Sequence, residues 1–355
     1  MAHPDPETID VRADEKLDTS RLEPYLRERL PATNGPLVVS QFGGGHANLT
    51  YLLAFGADEY VLRRPPMGPI APSAHDMKRE HRVQSVLYKA FALAPRSFLY
   101  CDDAGIIGAN FHVSERRAGF VIRGEMPERF ADDPALNQRI GSMLIDTLAD
   151  LHSVDPAAVG LEDLGRPDGF VKRQLDGWTK RWHAAKDKDL ADIDRILPWL
   201  EDNLPQSKYV TLLHNDFKLD NVLLSTDDPA RPTAVLDWDM CTLGDPLMDL
   251  GHMLNYWTDN TDGPEWRTNM TMPTWRAGFP TRTEVVARYA EKTGFDVSAI
   301  NWYFVFGSFK LAVILQQIYI RYLRGQTKDK RFARFDERVA GLARRGACFS
   351  ETTSL

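Results

Sequence analysis

Cysteine is scarce in this 355-residue chain: Cys101, Cys241 and Cys348 are the only three, and they lie far apart. No two of them have zinc-site spacing, and scattered thiols build no disulfide framework, so a reducing, cytoplasmic setting is expected. Long apolar runs are also lacking. The most apolar stretch, residues 303–315, is interrupted by Lys310 and reads as too short to span a bilayer. The acidic residues 1–18 contain no apolar segment of the kind a secretory signal needs. Excess positive charge is missing as well. With 43 Lys and Arg against 50 Asp and Glu the net charge is -7, which gives no general attraction to nucleic acid or to an anionic membrane. The chain shows no internal repeat and no low-complexity segment. What it does have is 43% hydrophobic and 26% charged residues, an ordinary globular balance in a length sufficient for two cores.

In chain order, residues 1–18 read as a mobile arm, followed by a short helix to Leu30 capped by Thr19 or Ser20. Three strand-like runs follow at 37–42, 49–55 and 60–63. The first two are joined by Gly43-Gly44-Gly45-His46-Ala47-Asn48, a glycine-rich loop whose backbone N–H groups are able to approach a phosphate. Arg63 ends the third run, and Pro65, Pro66, Pro69 and Pro72 hold an extended connector. Residues 74–92 have helical periodicity, with Glu80 off the apolar face as a solvated helix charge would be. Strands at 97–101 and 110–115 complete a five-stranded antiparallel sheet with one helix. From Gly119 onwards the pattern turns mainly helical: 134–152, 170–185, 190–204, 246–256, 283–293, 297–324 and 330–345. Three regions result: an arm and helix at 1–36, a sheet lobe at 37–117, and a helical lobe at 118–355. The fold class expected is α+β, in a bilobal arrangement.

One stretch concentrates polar groups among apolar runs. Residues 212–239 read LLHNDFKLDNVLLSTDDPARPTAVLDWD and carry Asp216, Asn221, Asp237 and Asp239 on strand–loop–strand segments. A carboxylate to orient a hydroxyl, with an amide and a second carboxylate for a metal, is the set that phosphoryl transfer needs. Only six residues separate Asp237 from Gly244, which leaves no room for a segment that docks a protein substrate.

These residues resemble the aminoglycoside phosphotransferase/choline kinase group of protein-kinase-like folds. His214-Asn215-Asp216-Phe217-Lys218-Leu219-Asp220-Asn221 is similar to its catalytic loop, Leu236-Asp237-Trp238-Asp239 to its metal motif, and 244–250 to the helix start that follows. GGGHANLTYLL, YVLRRPP and FHVSERRAG further resemble the kinase-like domains found beside or fused to acyl-CoA dehydrogenases. The resemblance covers roughly residues 37–325 and implies ATP and Mg²⁺ as cofactors. It implies Asp216 as the base that takes the acceptor proton and Asn221 and Asp237 as Mg²⁺ ligands. Gly44, Gly45, His46, Ala47, Asn48 and Arg63 would hold the phosphates, with Glu80 completing the nucleotide site as the partner of Arg63, and the connector from Glu115 to Arg117 would hold the adenine. Lys218 either reaches the transferring phosphate or pairs with Asp220 or Asp237. His214 reads as a scaffold, Asp239 as a second metal contact or loop anchor, and Asp245 and Asp249 as capping and loop-fixing groups. Two positions depart from the family pattern: Arg63 replaces the usual Lys, and Ala47 stands where Ser is common.

The acceptor is expected to be a small molecule with a hydroxyl. The stretch 321–345 carries nine Lys or Arg against Asp329, Asp336 and Glu337, which suits an anionic acceptor, with a hydroxyacyl-CoA as the leading candidate, or else marks a solvated terminal helix. An aminoglycoside would want a carboxylate-lined pocket, and choline an aromatic cage for which Trp257, Trp266, Trp275, Trp302 and Tyr303 are candidates. A nucleotide-binding pseudokinase is the alternative of another class. Association with an acyl-CoA dehydrogenase is the partner that the resemblance implies.

Overall fold

The computed structural model describes residues 8–43, 48–66, 76–130, 133–267, 272–327 and 329–352. The chain divides into two compact units. The first comprises Met1–Gly119, Val159–Leu161 and Pro232–Cys241, and the second Phe120–Ala158, Glu162–Arg231 and Thr242–Leu355.

The first unit is built on β1 (Thr8–Ile9), α1 (Thr19–Arg27), β2 (Leu37–Phe42), β3 (Leu49–Phe55), β4 (Asp58–Arg64), α2 (Met77–Leu87), β5 (Ser97–Cys101), α3 (Ala104–Ile107) and β6 (Phe111–Glu115). The strands form one antiparallel sheet in the order β1-β2-β3-β4-β6-β5. Tyr51, Leu53, Phe55, Leu62, Phe111 and Val113 are fully buried, and α1 adds Leu22 and Leu26 to the same core. At roughly 1.5–3 kcal/mol per fully buried large apolar side chain, this cluster is what holds the sheet and α1 together. The β3–β4 hairpin turns at Gly56, whose φ of +66° and 2.7 Å approach of an added Cβ to the Asn34 carbonyl both require glycine.

Several boundaries differ from the sequence reading. Residues 8–18 are not a loose arm. Thr8 and Ile9 pair with Phe42 and Gln41, Arg12 N–H donates to Gln41 Oε1 (3.1 Å), and Tyr51 OH donates to the Glu15 carbonyl (2.7 Å). The sheet therefore has six strands, because the β2 edge takes up a short strand that carries no apolar signature of its own. The cap of α1 is Asp18, which accepts from Ser20 N–H. Helix α2 begins at Met77 behind Asp76, and the segment between β5 and β6 forms α3 under an Asp103 cap.

The second unit contains α4 (Pro134–His152), α5 (Phe170–Ala185), α6 (Ala191–Asp202), β7 (Thr211–Leu213) and β8 (Val222–Leu224). After β9 (Pro232–Val235), which belongs to the first unit, it continues with β10 (Thr242–Gly244), α7 (Leu247–Tyr256), α8 (Pro264–Arg267), α9 (Arg282–Thr293), α10 (Ile300–Leu323) and α11 (Phe335–Ser350). β10 was not visible in the sequence. It pairs antiparallel with β7, Leu243 opposite Leu212. The segment 330–345 is not one helix: a 3-10 turn at Lys330–Arg334 precedes α11. Helix α10 has 24 residues and is, by length and composition, apolar enough to cross a membrane, yet 67% of its most apolar window is buried in the protein. Its partner α7 approaches so closely that a Cβ on Gly251 would lie 2.6 Å from the Tyr303 backbone. Asn255 Nδ2 donates to the Gly251 and Phe304 carbonyls, both at 2.8 Å, and Ser308 Oγ donates to Asn255 Oδ1. A polar clasp thus fixes the register of two otherwise apolar helices.

Candidate active site

In the first unit the site grows out of sheet register. Arg63 on β4 lies opposite His112 on β6, and α2 packs across these strands with Glu80 fully buried. The planar guanidinium of Arg63 uses its fork on two carboxylates: one nitrogen donates to Glu80 Oε1, the other to Asp237 Oδ1 at 2.7 Å. His112 Nε2 lies 3.2 Å from Glu80 Oε2, and Ser97 Oγ links His112 Nδ1 (3.3 Å) to His81 Nδ1 (2.9 Å). Burial works against the charge on Arg63, but Glu80 and Asp237 outweigh it and the pKa is raised. For Glu80 burial pushes upward, while Arg63 and His112 hold the carboxyl below its ordinary value. Glu80 is thus a buried ion-pair partner rather than a solvated helix charge, because α2 turns that face onto the sheet.

Asp237 follows β9 and holds φ = +70°, a conformation that Asp tolerates better than most residues. Asp239, in the next turn, is buried and accepts from Asn48 Nδ2 at 3.3 Å. Burial, then the charges of Asp237 and Glu80, push the Asp239 carboxyl up to about 7. Asp239 therefore anchors the end of the glycine-rich loop. Gly44, Gly45, His46 and Ala47 lie outside the described residues. Of the connector, Glu115 N–H already donates to the Arg96 carbonyl (2.8 Å), so it is not available to an adenine. The Glu115 side chain pairs with Arg117 (3.1 Å).

In the second unit the loop after β7 carries the other residues. His214 and Asn215 donate their backbone N–H groups to the two oxygens of Asp249, at 2.6 and 2.7 Å. Asn215 holds φ = +66° there. Asp249 is therefore a loop-fixing group, with His152 Nε2 at 3.3 Å and Tyr289 OH behind His152 at 2.6 Å. Burial alone would raise the Asp249 pKa, but His152 and the loop hydrogen bonds bring it below its ordinary value. Asp245 accepts from Leu247 N–H and from Tyr303 OH, at 2.9 and 2.8 Å, so it ties the α7 start to α10. His214 is fully buried and its Nδ1 accepts from Asp216 N–H, which is a scaffold role.

Asp216 holds Lys218 Nζ with both oxygens, at 2.8 and 2.6 Å. The ion pair expected of Lys218 with Asp220 or Asp237 is thus made with Asp216 instead. Burial opposes the Lys218 charge, Asp216 more than offsets it, and the pKa is raised. Asp220 is pushed up to about 6, by burial first. Asn221 Nδ2 donates to the Asp216 carbonyl (2.8 Å) and to Asp216 Oδ2 (3.0 Å), so the amide nitrogen is engaged within the loop and Oδ1 is the atom of Asn221 able to accept a cation. Among the described residues no cluster of three or more His, Cys, Asp or Glu forms a metal cage. A small hard cation bound mainly through phosphates and water needs only one or two protein oxygens, and the Asn221 carbonyl and the Asp237 carboxylate are oxygens of that kind.

Sequence reasoning missed His112, His152 and the full role of Asp249. Only register reveals His112, through its place opposite Arg63, and no local signal marks His152.

A match to the phosphotransferase enzyme family covers residues 38–289. The chain belongs to that family. It is therefore an enzyme of the small-molecule kinase type. Across 98% of its length this phosphotransferase is 35% identical to acyl-CoA dehydrogenase family member 11 of Rattus norvegicus, and over 91% it is 32% identical to family member 10 of Mus musculus. The chain spans under half of those proteins, 45% and 30% respectively. A Ralstonia eutropha protein, provisionally named an aminoglycoside phosphotransferase, superposes with a TM-score of 0.82 at 28% identity, covering 95% of this chain and 99% of that one. The aminoglycoside phosphotransferase APH(4)-Ia, solved with ADP and hygromycin B, shares the fold at a TM-score of 0.59 and 15% identity, covering 94% and 99%. The phosphotransferase thus has the protein-kinase-like fold that its motifs suggested.

Proposed function

We propose that this phosphotransferase moves the γ-phosphoryl group of ATP to the hydroxyl of a small anionic metabolite, with a hydroxyacyl-CoA as the leading acceptor. The observation that carries the reaction is the Asp216–Lys218–Asn221 cluster, a carboxylate, a cation and an amide hydrogen-bonded within one loop. In this reading the acceptor oxygen forms a bond to the γ-phosphorus while the bond from that phosphorus to the bridging oxygen of ADP breaks. Asp216 orients the acceptor hydroxyl and takes its proton late. Lys218 leaves Asp216 for the transferring phosphoryl oxygens, so one cation serves both the resting and the reacting arrangement. Arg63, held by Glu80, contacts the other phosphates. Asn221 and Asp237 would be the residues that hold Mg²⁺, which when bound would offset the negative charge of the phosphates.

Three observations bear on the acceptor. The relatives just described are named for acyl-CoA dehydrogenases, and the chain covers less than half of them. Arg331 and Arg334 stand exposed near the C-terminal helix, paired among the described residues with their sequence neighbours Asp329 and Glu337, and surface pairs of this kind are worth about 0–1 kcal/mol. The aromatic residues considered for a choline cage are largely spent elsewhere. Trp257 and Trp302 are buried with their Nε1–H groups donating to Pro280 and Leu200 carbonyls, and Tyr303 is bonded to Asp245.

The test is ATP turnover across paired acceptors: hydroxyacyl-CoA esters, free hydroxy acids, aminoglycosides and choline. Phosphorylated hydroxyacyl-CoA as the preferred product is expected. ATP binding without any phosphorylated product would establish the pseudokinase alternative instead.

A further inference from the structure

Behind the Arg63–Glu80 pair lies a row of polar groups that no step of phosphoryl transfer touches. Glu80 and His112 are fully buried and Ser97 nearly so, where α2 packs on β5 and β6. Glu80 Oε1 takes one nitrogen of Arg63. Its Oε2 meets no well-aligned donor among the described residues, and the polar atom set against it is His112 Nε2, at 3.2 Å. On the other side of the ring, His112 Nδ1 lies 3.3 Å from Ser97 Oγ. That oxygen is also 2.9 Å from His81 Nδ1 and 3.3 Å from the Val113 carbonyl. His81 follows Glu80 on α2 and is half-buried.

Counting protons orders this row. Burial raises the Glu80 pKa, but Arg63 and His112 bring it below its ordinary value, so a carboxylate faces His112 Nε2. A bare Nε2 would set its lone pair against that carboxylate in a fully buried site, so Nε2 carries a proton. Nδ1 is then the acceptor, and the Ser97 hydroxyl is the donor within its reach. Ser97 has a single proton, which the Val113 carbonyl shares, so its contact with His81 is made by the Nδ1–H of His81. Burial, then His112, lowers the His81 pKa, which favours the uncharged ring with one N–H to give. The three contacts therefore run one way, from His81 through Ser97 and His112 to Glu80. A glutamate carboxylate turns easily about its last bond. Arg63 grips one oxygen, and a proton facing the other removes the freedom that remains.

We propose that His112 is a positioning residue of the nucleotide site: its Nε2–H, set by Ser97 and His81, fixes the Glu80 carboxylate so that Arg63 is presented to the phosphates of ATP. The nucleotide half of this assignment rests on the reading of Arg63 given above. The place of the proton on His112 does not.

Neutron diffraction from deuterated wild-type crystals tests the proton directly and needs neither a variant nor turnover. A deuteron is expected on His112 Nε2, with the Ser97 hydroxyl directed at Nδ1. A bare Nε2 facing Glu80 would overturn the proposal. Its functional half is read from two variants that differ in where they put an amide nitrogen. Glutamine reaches about as far as Nε2, and asparagine only as far as Nδ1. By isothermal titration with ATP and Mg²⁺, His112→Gln is expected to keep Kd within about threefold of the wild type and His112→Asn to raise it about tenfold. A role in packing alone would lower the melting temperature of both variants and leave the Kd of the folded protein unchanged. Because His112 acts through Arg63, His112→Asn should add nothing in an Arg63→Met background. Equal Kd for the Gln and Asn variants, or a full additional effect in that background, would overturn the assignment. Arg63→Met with an unchanged Kd would remove the phosphate role of Arg63 itself, and the nucleotide half of the proposal with it. A raised Kd in Arg63→Met beside an unchanged one in His112→Asn defeats the proposal alone.

Discussion

Arg63 shows how one residue decides the character of its surroundings. A lysine there would present a point charge to a single partner, whereas the guanidinium joins Glu80 and Asp237 at once. Removing it leaves Glu80 buried without its cation, so Arg63→Met is expected to cost about 3–5 kcal/mol in urea unfolding, and Arg63→Lys distinctly less. Asp239 makes a pH prediction. Its folded pKa of about 7 lies above the roughly 3.9 of an unfolded Asp, so the fold favours the protonated form. The stabilisation is complete below about pH 4 and disappears as the pH rises through 7. Asp239→Asn, neutral throughout, should therefore gain in melting temperature relative to the wild type as pH climbs from 4 to 8. A constant difference across that range would remove the assignment. For Asp216, replacement by Ala should lower kcat by about 10²–10⁴-fold while isothermal titration still detects ATP binding.

At the scale of elements, β7, its loop and α7 behave as one device. The loop residue Asn215 sits at positive φ because Asp249, in the first turn of α7, receives the N–H groups of both His214 and Asn215. Helix α7 is in turn fixed against α10 by Gly251 and by the Asn255–Ser308 clasp. A methyl group at Gly251 meets backbone, which cannot move aside as a side chain can. Gly251→Ala is expected to destabilise by about 1–3 kcal/mol and to lower kcat with it, since the carboxylate that shapes the catalytic loop rides on the displaced helix. Thermal melting and steady-state kinetics on the same preparation check both halves of this expectation. A normal kcat in a destabilised variant would show that α7 and the loop are mechanically independent.

For the molecule as a whole, the open question is what the surface recruits. The cation excess of 321–345 is smaller in space than in sequence. Arg345 is buried and donates to the Asn255 carbonyl at 3.0 Å, and Arg331 and Arg334 have local acidic partners. Arg321, Arg324, Lys330 and Arg344 are exposed as well, and Arg331 and Arg334 are the pair proposed for a CoA phosphate. Arg331→Ala and Arg334→Ala should raise KM for a CoA ester more than KM for ATP, with a steeper salt dependence of the former in the wild type. Equal effects on both substrates would leave the CoA reading without its electrostatic basis.

The sequence alone determined the fold class, most element positions and the candidate site within residues 212–239, because alternation, helical period and turn residues are local, and because Asp216, Asn221 and Asp237 stand at spacings that a single loop and strand must respect. Tertiary structure decided everything that depends on which face an element buries. Glu80 looked solvated until α2 was laid on the sheet, β1 and β10 became strands only by pairing with a distant edge, and Lys218 found its partner only when the loop closed. Lys310 read as an interruption that kept a helix out of the bilayer. In the folded chain it is the one charge on an apolar helix face turned towards a cavity, a meaning that arises from three helices and a loop meeting and that no window along the chain contains.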